Sequence, residues 1–216
     1  MPLRRPKRKL IWDYIITISL AIFLALFIRT FFFEVYRISN SKMKPTLIPG
    51  DTVFVSKSWY GWDIPEIKLI EKLFTHSPQR NDVVLYEDPL NDGLESIKRV
   101  VGLPKETIQL TQEKLLINGK PLNGNFLNHS PPRISSPSKA IPANKETGNF
   151  GPEKIPEDSI FVIGDLRSSP LPNEKPNWAI IPISALKGKA VWIWLSIPEN
   201  KKFPQIMWDR LFKKIE

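Results

Sequence analysis

The sequence predicts a mainly β protein, an antiparallel β domain carried on one N-terminal transmembrane helix. Two features predict this architecture. An apolar segment follows directly on a basic start, and short β-type segments bounded by turn formers then recur through the rest of the 216 residues. The apolar content of 42% is typical of a folded chain rather than a disordered one.

The predicted membrane anchor covers residues 13–33. Tyr14 to Ile28 carries no charged residue, and the segment 14–33 would span about 30 Å as a helix, the thickness of a bilayer's hydrocarbon core. Arg29 lies near one end, where a long side chain can reach the interface. A cleavable signal peptide needs small residues before its cleavage site, whereas the segment from Phe31 to Tyr36 is bulky. An uncleaved anchor is therefore expected.

The charge distribution predicts the orientation of this anchor. Of the net charge of +9, five positive charges lie in the basic segment 1–12, on Arg4, Arg5, Lys7, Arg8 and Lys9. The positive-inside rule places that segment in the cytoplasm and the predicted domain, residues 34–200, outside it. The rest of the chain carries only +4, which is 9 minus 5, and this argues against nucleic-acid binding.

Seven segments beyond the anchor have the composition of β-strands. They are Asp51–Val55, Asp82–Tyr86, Ser96–Val101, Thr107–Leu110, Lys114–Ile117, Ser159–Ile163 and Lys189–Leu195. Between about residues 119 and 157 the chain becomes rich in Pro, Asn, Ser and Lys, which predicts a long loop inserted in the domain. Apolar residues at helical spacing between Phe203 and Ile215 predict that the C-terminal tail, residues 201–216, forms a short amphipathic helix.

The composition excludes several catalytic chemistries. The chain has no cysteine, so disulfides, thiol catalysis and zinc–thiolate sites are excluded. The two histidines, His76 and His129, lie in no recognisable motif. Solvated loop positions are expected for both, and neither a histidine triad nor a metal site is predicted. No cofactor is expected.

Three segments resemble the bacterial type I signal peptidases. Residues 38–47 (ISNSKMKPTL), followed by Gly50-Asp51, resemble the segment that carries the nucleophile in that family. Residues 97–104 (IKRVVGLP) resemble the segment that carries the family's lysine base, and residues 164–167 (GDLR) resemble its closing Gly-Asp motif. The matches occur in the family's order and cover most of residues 34–195.

The resemblance implies a Ser/Lys endopeptidase of the bacterial cytoplasmic membrane that removes signal peptides from exported preproteins. Its partners would be those signal peptides and the lipid bilayer. Lys98 takes the position of the general base. A lysine can accept a proton only when it is neutral, so this role requires burial that lowers its pKa. From the residues alone, an exposed strand lysine is the alternative.

The nucleophile position departs from the family pattern. The family's serine directly precedes the methionine of the Met-x-Pro-Thr run, and here Lys42 precedes Met43. Ser41 is then the candidate displaced nucleophile, and Asn40 a candidate oxyanion donor. In an extended segment adjacent side chains point to opposite faces, so Ser41 and Lys42 could exchange places only through a bulge. We expect Lys42 and Lys98 to approach each other, which would lower the pKa of at least one of them.

A second departure follows the Gly-Asp motif. Pro170 stands where the family has a serine that supports the lysine, and proline offers neither a hydroxyl nor a backbone N–H. Two classes of function therefore stay open. The chain is either a functioning signal peptidase, or a catalytically inactive homologue that binds peptides or acts as an anchored scaffold of the export machinery.

Overall fold

The computed structural model describes residues 7–60, 76–89, 93–110, 115–122, 150–166, 177–198 and 205–215. Helix α1 spans Lys7–Phe31, and strand β1 begins at Phe33. The helix therefore starts inside the segment predicted as residues 1–12 and ends before the predicted boundary at residue 33. Across the described ranges, none of the helices combines the length and the apolar character that a membrane crossing requires. The anchor stays a prediction.

The rest of the described chain is built mainly from β-strands, as predicted. The strands are β1 Phe33–Arg37, β2 Asp51–Ser56, β3 Val83–Asp88, β4 Leu94–Gly102, β5 Thr107–Leu110, β6 Leu115–Ile117, β7 Lys120–Pro121, β8 Phe150–Lys154, β9 Ser159–Ile163, β10 Trp178–Pro182, β11 Leu186–Ser196 and β12 Lys213–Lys214.

The strands form two antiparallel sheets. The larger has eight strands in the order β1-β2-β11-β3-β4-β9-β10, with β12 paired to β11, and the smaller has the order β7-β6-β5-β8. Strand β11 pairs with both β2 and β3, so it joins the strand that follows the predicted nucleophile segment to the hairpin that carries Lys98. This arrangement places the two sequence motifs on neighbouring parts of one sheet.

Alternating side chains of the larger sheet enter separate apolar clusters on its two faces. One face packs against the loop that precedes β2, through Ile38, Met43 and Leu47. The opposite face is covered by a cluster built on β3, β4, β9 and β10. A third cluster lies where β4 and β9 meet the smaller sheet. Burying each large apolar side chain contributes about 1.5–3 kcal/mol, so the loop before β2 is held firmly to the sheet.

Two parts of the predicted organisation need correction. Strands β7 and β8 lie within residues 119–157, so the ends of the predicted insertion belong to the smaller sheet, and residues 123–149 lie outside the described residues. The predicted C-terminal helix is wrong for residues 205–215. That segment forms a 3-10 turn at Trp208–Arg210 and then β12, because the Ile215 N–H bonds to the Val191 carbonyl and draws the tail along β11.

Candidate active site

Lys98 lies in the middle of β4 and is only 6% exposed. It pairs with Val84 of β3, and its Nζ lies 5.8 Å from the centre of the Tyr86 ring. Burial lowers the pKa of Lys98 to about 8 from its ordinary 10.5, with an opposing effect from Asp88 and a further lowering by the nearby charge of Lys42. The lysine is therefore buried as its predicted role requires, and the alternative of an exposed strand lysine is excluded.

Tyr86, the aromatic neighbour of Lys98 on β3, is neutral. Burial, reinforced by the Asp88 carboxylate, raises the pKa of Tyr86, so its hydroxyl stays protonated. In the part of the chain that the structure describes, no carboxylate lies within ion-pair distance of Lys98 or Lys42. Asp88 acts on Lys98 only at longer range. A lysine held in this way can exchange a proton near neutral pH.

Lys42 is half-buried, and its backbone is fixed on both sides. Its N–H donates to Asn40 Oδ1 at 3.1 Å, and its carbonyl accepts from the Leu166 N–H and from Asn177 Nδ2, each at 3.0 Å. The charge of Lys42 contributes the smallest of the effects that set the pKa of Lys98, behind burial and Asp88. The close approach of the two lysines stays a prediction.

Ser41 lies in a turn, not in an extended segment. Its carbonyl accepts from the Lys44 N–H at 3.1 Å, which closes a tight turn, and both Ser41 and Lys42 are half-buried. The expectation that adjacent side chains point to opposite faces assumed extended backbone, and the backbone here is a turn. The role of Ser41 as displaced nucleophile stays a prediction. Among the described residues, the Ser41 hydroxyl makes no hydrogen bond to Lys98.

Asn40 is exposed and braces the turn. Its side-chain oxygen accepts from the Lys42 N–H, which leaves the Nδ2 hydrogens as the donors it could offer to a developing oxyanion. The same bond occupies the backbone N–H of Lys42. The role of Asn40 as an oxyanion donor stays a prediction.

Arg99, the neighbour of Lys98 on β4, joins the lysine strand to the Gly-Asp motif. Its Nε donates to Asp165 Oδ1 at 2.8 Å and its Nη2 to Asp165 Oδ2 at 2.7 Å, and both side chains are buried. Nη2 also lies 3.4 Å from Thr46 Oγ1. Because a two-point arginine–carboxylate pair fixes orientation, this contact holds β4, the Gly-Asp motif and the Lys42 turn in one geometry.

Asn177 is a site residue that the sequence did not reveal. Its Nδ2 donates to the carbonyls of Lys42 and Leu166, and its backbone carbonyl accepts from the Gly164 N–H. Gly164 is required here, because a Cβ at that position would lie 2.1 Å from the Asn177 side chain. Residues 167–176, which include Pro170, lie outside the described residues.

A buried ion pair, which the sequence also did not reveal, holds the end of the loop that precedes β2. Asp51, from the Gly50-Asp51 motif, accepts from Arg210 Nε and Nη2 at 3.2 and 2.5 Å, and from the Ile48 N–H at 2.9 Å. Arg210 also donates to the Thr46 carbonyl. Gly50 adopts a φ of +96°, and a Cβ there would lie 2.1 Å from a backbone carbonyl oxygen.

The described residues offer no site for a metal. Within those ranges, no three His, Asp or Glu side chains lie close enough together to hold a metal ion. His76 is exposed and stacks on Trp59 with 5.4 Å between ring centres, and His129 lies outside the described residues.

The described residues thus combine a buried strand lysine of lowered pKa with a turn that is bonded to the Gly-Asp segment. The family model described as "Signal peptidase, peptidase S26" matches residues 11–195. The chain therefore belongs to the signal peptidase family, as its motifs predicted.

Three relatives illustrate the similarity. Signal peptidase I of Pseudomonas fluorescens is 31% identical over 221 residues, covering 90% of this chain and 76% of that protein. Signal peptidase I of Leptolyngbya laminosa is 34% identical, covering 81% and 75%. Signal peptidase I of Bacillus licheniformis is 28% identical, covering 91% and 95%.

Proposed function

We propose that this protein is a membrane-bound endopeptidase that removes signal peptides from exported preproteins, with Lys98 as its general base. The observation that carries the proposal is the buried Lys98 amine, whose pKa of about 8 leaves an appreciable neutral fraction near neutral pH. The Arg99–Asp165 pair supports it, because it fixes this strand relative to the turn that carries Ser41.

In the proposed mechanism, neutral Lys98 takes the proton of the Ser41 hydroxyl as its oxygen attacks the scissile carbonyl carbon. Donors near the turn, with Asn40 Nδ2 as the candidate, stabilise the oxyanion that forms. Collapse of the intermediate expels the amine of the mature protein, which takes the proton from Lys98. Water, deprotonated by the same lysine, then hydrolyses the acyl-serine and releases the signal peptide as a free acid.

Lys98→Met should lower the rate of signal-peptide cleavage at least ~10²-fold, because the base is lost. In the unmodified protein the rate should rise with pH and level off above about 8, since the neutral fraction of Lys98 grows through that pKa. Cleavage of a preprotein by the full chain in detergent, measured from pH 6 to 10, tests both results. Lys105→Met, at an exposed lysine, is the control. Full activity in Lys98→Met would rule out this mechanism.

A second candidate function is peptide binding without cleavage, as an inactive homologue or a scaffold of the export machinery. The observation that favours it is Lys42, whose ammonium stands at the family's nucleophile position close enough to lower the pKa of Lys98. A lysine amine at that position would leave an amide that water hydrolyses poorly. Cleavage by the unmodified protein that disappears in Ser41→Ala would eliminate this candidate.

We also propose that α1 anchors the protein in the bacterial cytoplasmic membrane, with the N-terminus in the cytoplasm and the β domain outside. A helix of 25 residues is about 37 Å long, more than the hydrocarbon thickness of a bilayer. Ile11, Ile16, Leu20 and Phe23 are among its many exposed apolar side chains, which lipid would cover. The basic residues before Leu10 agree with the positive-inside rule.

An aromatic surface beside the end of α1 supports the same proposal. Phe33 on β1, Phe54 on β2 and Trp194 on β11 lie on adjacent strands. The ring centres of Phe33 and Phe54 are 6.2 Å apart, and those of Phe54 and Trp194 are 5.9 Å apart. Phe33, Trp192 and Trp194 are exposed on it. Tryptophan is favoured at the membrane interface, where its ring is amphipathic. This surface would rest the β domain on the outer leaflet.

The topology predicts the outcome of a protease-protection experiment. Protease added to intact spheroplasts should digest the β domain and leave a short membrane-bound fragment that includes α1. A cytoplasmic marker protein, which should stay intact, is the control for leakage. Protection of the β domain until the cells are lysed would contradict the proposed orientation.

A further inference from the structure

The C-terminal tail, residues 205–215, holds two large aromatic side chains in solvent although its backbone is fixed to the domain. Trp208 is 73% exposed and Phe212 is 63% exposed. Arg210, which lies between them in the chain, is buried and ion-paired with Asp51 at 2.5 Å. The exposure of the two rings is therefore a property of an anchored segment and not of a loose chain end.

The tail borders the aromatic surface beside the end of α1. Strand β12 pairs Lys214 with Trp192 of β11, and on its other side Trp192 pairs with Phe54 of β2. Side chains of directly paired residues lie on the same face of a sheet, so Lys214, Trp192 and Phe54 form one row across it. Phe212 comes two residues before Lys214. It therefore lies at the border of the aromatic surface, where the tail joins the sheet.

The backbone of Phe212 has a conformation that is unfavourable for phenylalanine. Its φ is +54°, in the left-handed region, where the β-carbon of an L-residue is crowded. Glycine and asparagine adopt this conformation more readily. Because the ring is mostly exposed, packing inside the domain offsets little of this cost. Phenylalanine at this position is therefore explained better by a contact outside the domain than by the stability of the fold.

The charges of the tail indicate what kind of surface it contacts. Lys213 and Lys214 directly follow Phe212 and both are exposed, and the tail also carries the exposed acid Asp209. Aromatic rings favour the interface of a bilayer, and lysine side chains beside them reach the lipid headgroups. Adjacent basic residues are attracted to anionic lipids. Two exposed rings followed by two lysines therefore fit an anionic lipid surface.

We propose that the tail is a membrane-contact element, in which Trp208 and Phe212 enter the bilayer interface and Lys213 and Lys214 bind anionic lipid headgroups. The inference rests on the proposed membrane location and deepens it, since it gives the β domain a defined contact with the outer leaflet and a preferred lipid charge. The buried ion pair of the tail holds the rings in place before contact, so little conformational freedom is lost on binding.

The test uses the full chain, which has no cysteine, with one cysteine introduced at Asp209 and labelled with the fluorophore NBD. The protein is reconstituted in phosphatidylcholine liposomes, with or without phosphatidylglycerol, that contain a lipid with a quencher near its headgroup. We expect this lipid to quench the label at Asp209→Cys and not at Glu157→Cys, an exposed position beside the smaller sheet. Phosphatidylglycerol should increase the quenching at Asp209→Cys.

Further substitutions, made in the labelled protein, test the roles of the ring and the lysines. Phe212→Asn should lower the ratio of docked to undocked tail, read from the quenching, at least ~10-fold, because burial of an aromatic ring is lost. Its urea midpoint of unfolding in detergent should be unchanged or higher, since asparagine accepts a positive φ. Lys213→Gln with Lys214→Gln should remove most of the effect of phosphatidylglycerol, about 5-fold per lysine. Lys105→Gln with Lys154→Gln, the same charge change on and beside the smaller sheet, should preserve that effect.

The outcomes separate this inference from the proposed anchor. An unquenched label at Asp209→Cys, in a chain that floats with the liposomes, would overturn the inference and leave the anchor standing; a surface covered by a second copy of the chain would give this result. A lower urea midpoint in Phe212→Asn would also overturn it, because Phe212 would then stabilise the fold. A quenched label in a chain that alkaline carbonate releases from the liposomes would support the inference and contradict the anchor. A chain that does not float would overturn both.

Discussion

Arg210→Met will lower the free energy of unfolding by about 3–5 kcal/mol, the cost of leaving a buried charge without its partner. The Asp51 carboxylate is fully buried and takes two hydrogen bonds from Arg210, the shorter at 2.5 Å. Methionine keeps an apolar stem in place but supplies neither donor nor charge. Urea unfolding of the full chain in detergent, followed by tryptophan fluorescence, measures the loss.

The control for this prediction is Lys105→Met. Lys105 pairs with Glu157 at 3.3 Å, but both side chains are well exposed, so the pair should contribute at most about 1 kcal/mol. Losses of similar size in the two variants would show that burial of Asp51 does not decide the cost. Asp51→Asn combined with Arg210→Met should recover part of the loss, since no uncompensated charge then remains.

The same ion pair has a consequence for the site. Arg210 donates to the Thr46 carbonyl and Asp51 accepts from the Ile48 N–H, so the pair holds the end of the loop that carries Ser41 and Lys42. Arg99–Asp165 and Asn177 hold the other side of that loop. Because the loop is fixed from both sides, the distance between Lys42 and Lys98 is set by the surrounding domain and not by the turn alone.

Strands with a clear local pattern could be predicted from the sequence. The predicted bounds of β5 and β9 agree with the structure, because β-branched and apolar residues stand there between turn formers. Strand β1 was missed because its first residue, Phe33, continues the apolar run of α1. The tail was wrongly predicted to be helical because its apolar spacing is compatible with a helix, whereas pairing with β11 decides its conformation.

For the site, the motifs identified the strand of Lys98 and the turn of Lys42, since these are local in sequence. The supporting contacts are not local. Arg210 and Asp51 are 159 positions apart, and Asn177 and Lys42 are 135 apart, so no spacing rule connects them. The assumption of extended backbone at Ser41 failed for a related reason. The turn there is stabilised by burial of Met43 and Leu47 in the core, which only the folded chain reveals.

Lys42→Ser should create or raise signal-peptide cleavage by at least ~10²-fold, because it places a hydroxyl beside the buried base at the family's nucleophile position. Removing the Lys42 charge also removes an effect that lowers the pKa of Lys98, so that pKa should rise above about 8. The gain should therefore be largest at alkaline pH, where Lys98 is neutral. Preprotein cleavage by the full chain in detergent, measured from pH 7 to 10, tests this prediction.

Lys42→Ala separates the two effects of that substitution, because it removes the charge without supplying a hydroxyl. If Lys42→Ala gains as much as Lys42→Ser, relief of the charge activates Ser41, and the new hydroxyl contributes nothing. Adding Ser41→Ala should then abolish the gain in both variants. If only Lys42→Ser gains and Ser41→Ala leaves that gain intact, position 42 is the place of the nucleophile and the natural protein lacks one. No gain in Lys42→Ser at any pH would contradict the prediction, and would mean that Lys98 beside a serine is not sufficient for catalysis in this domain.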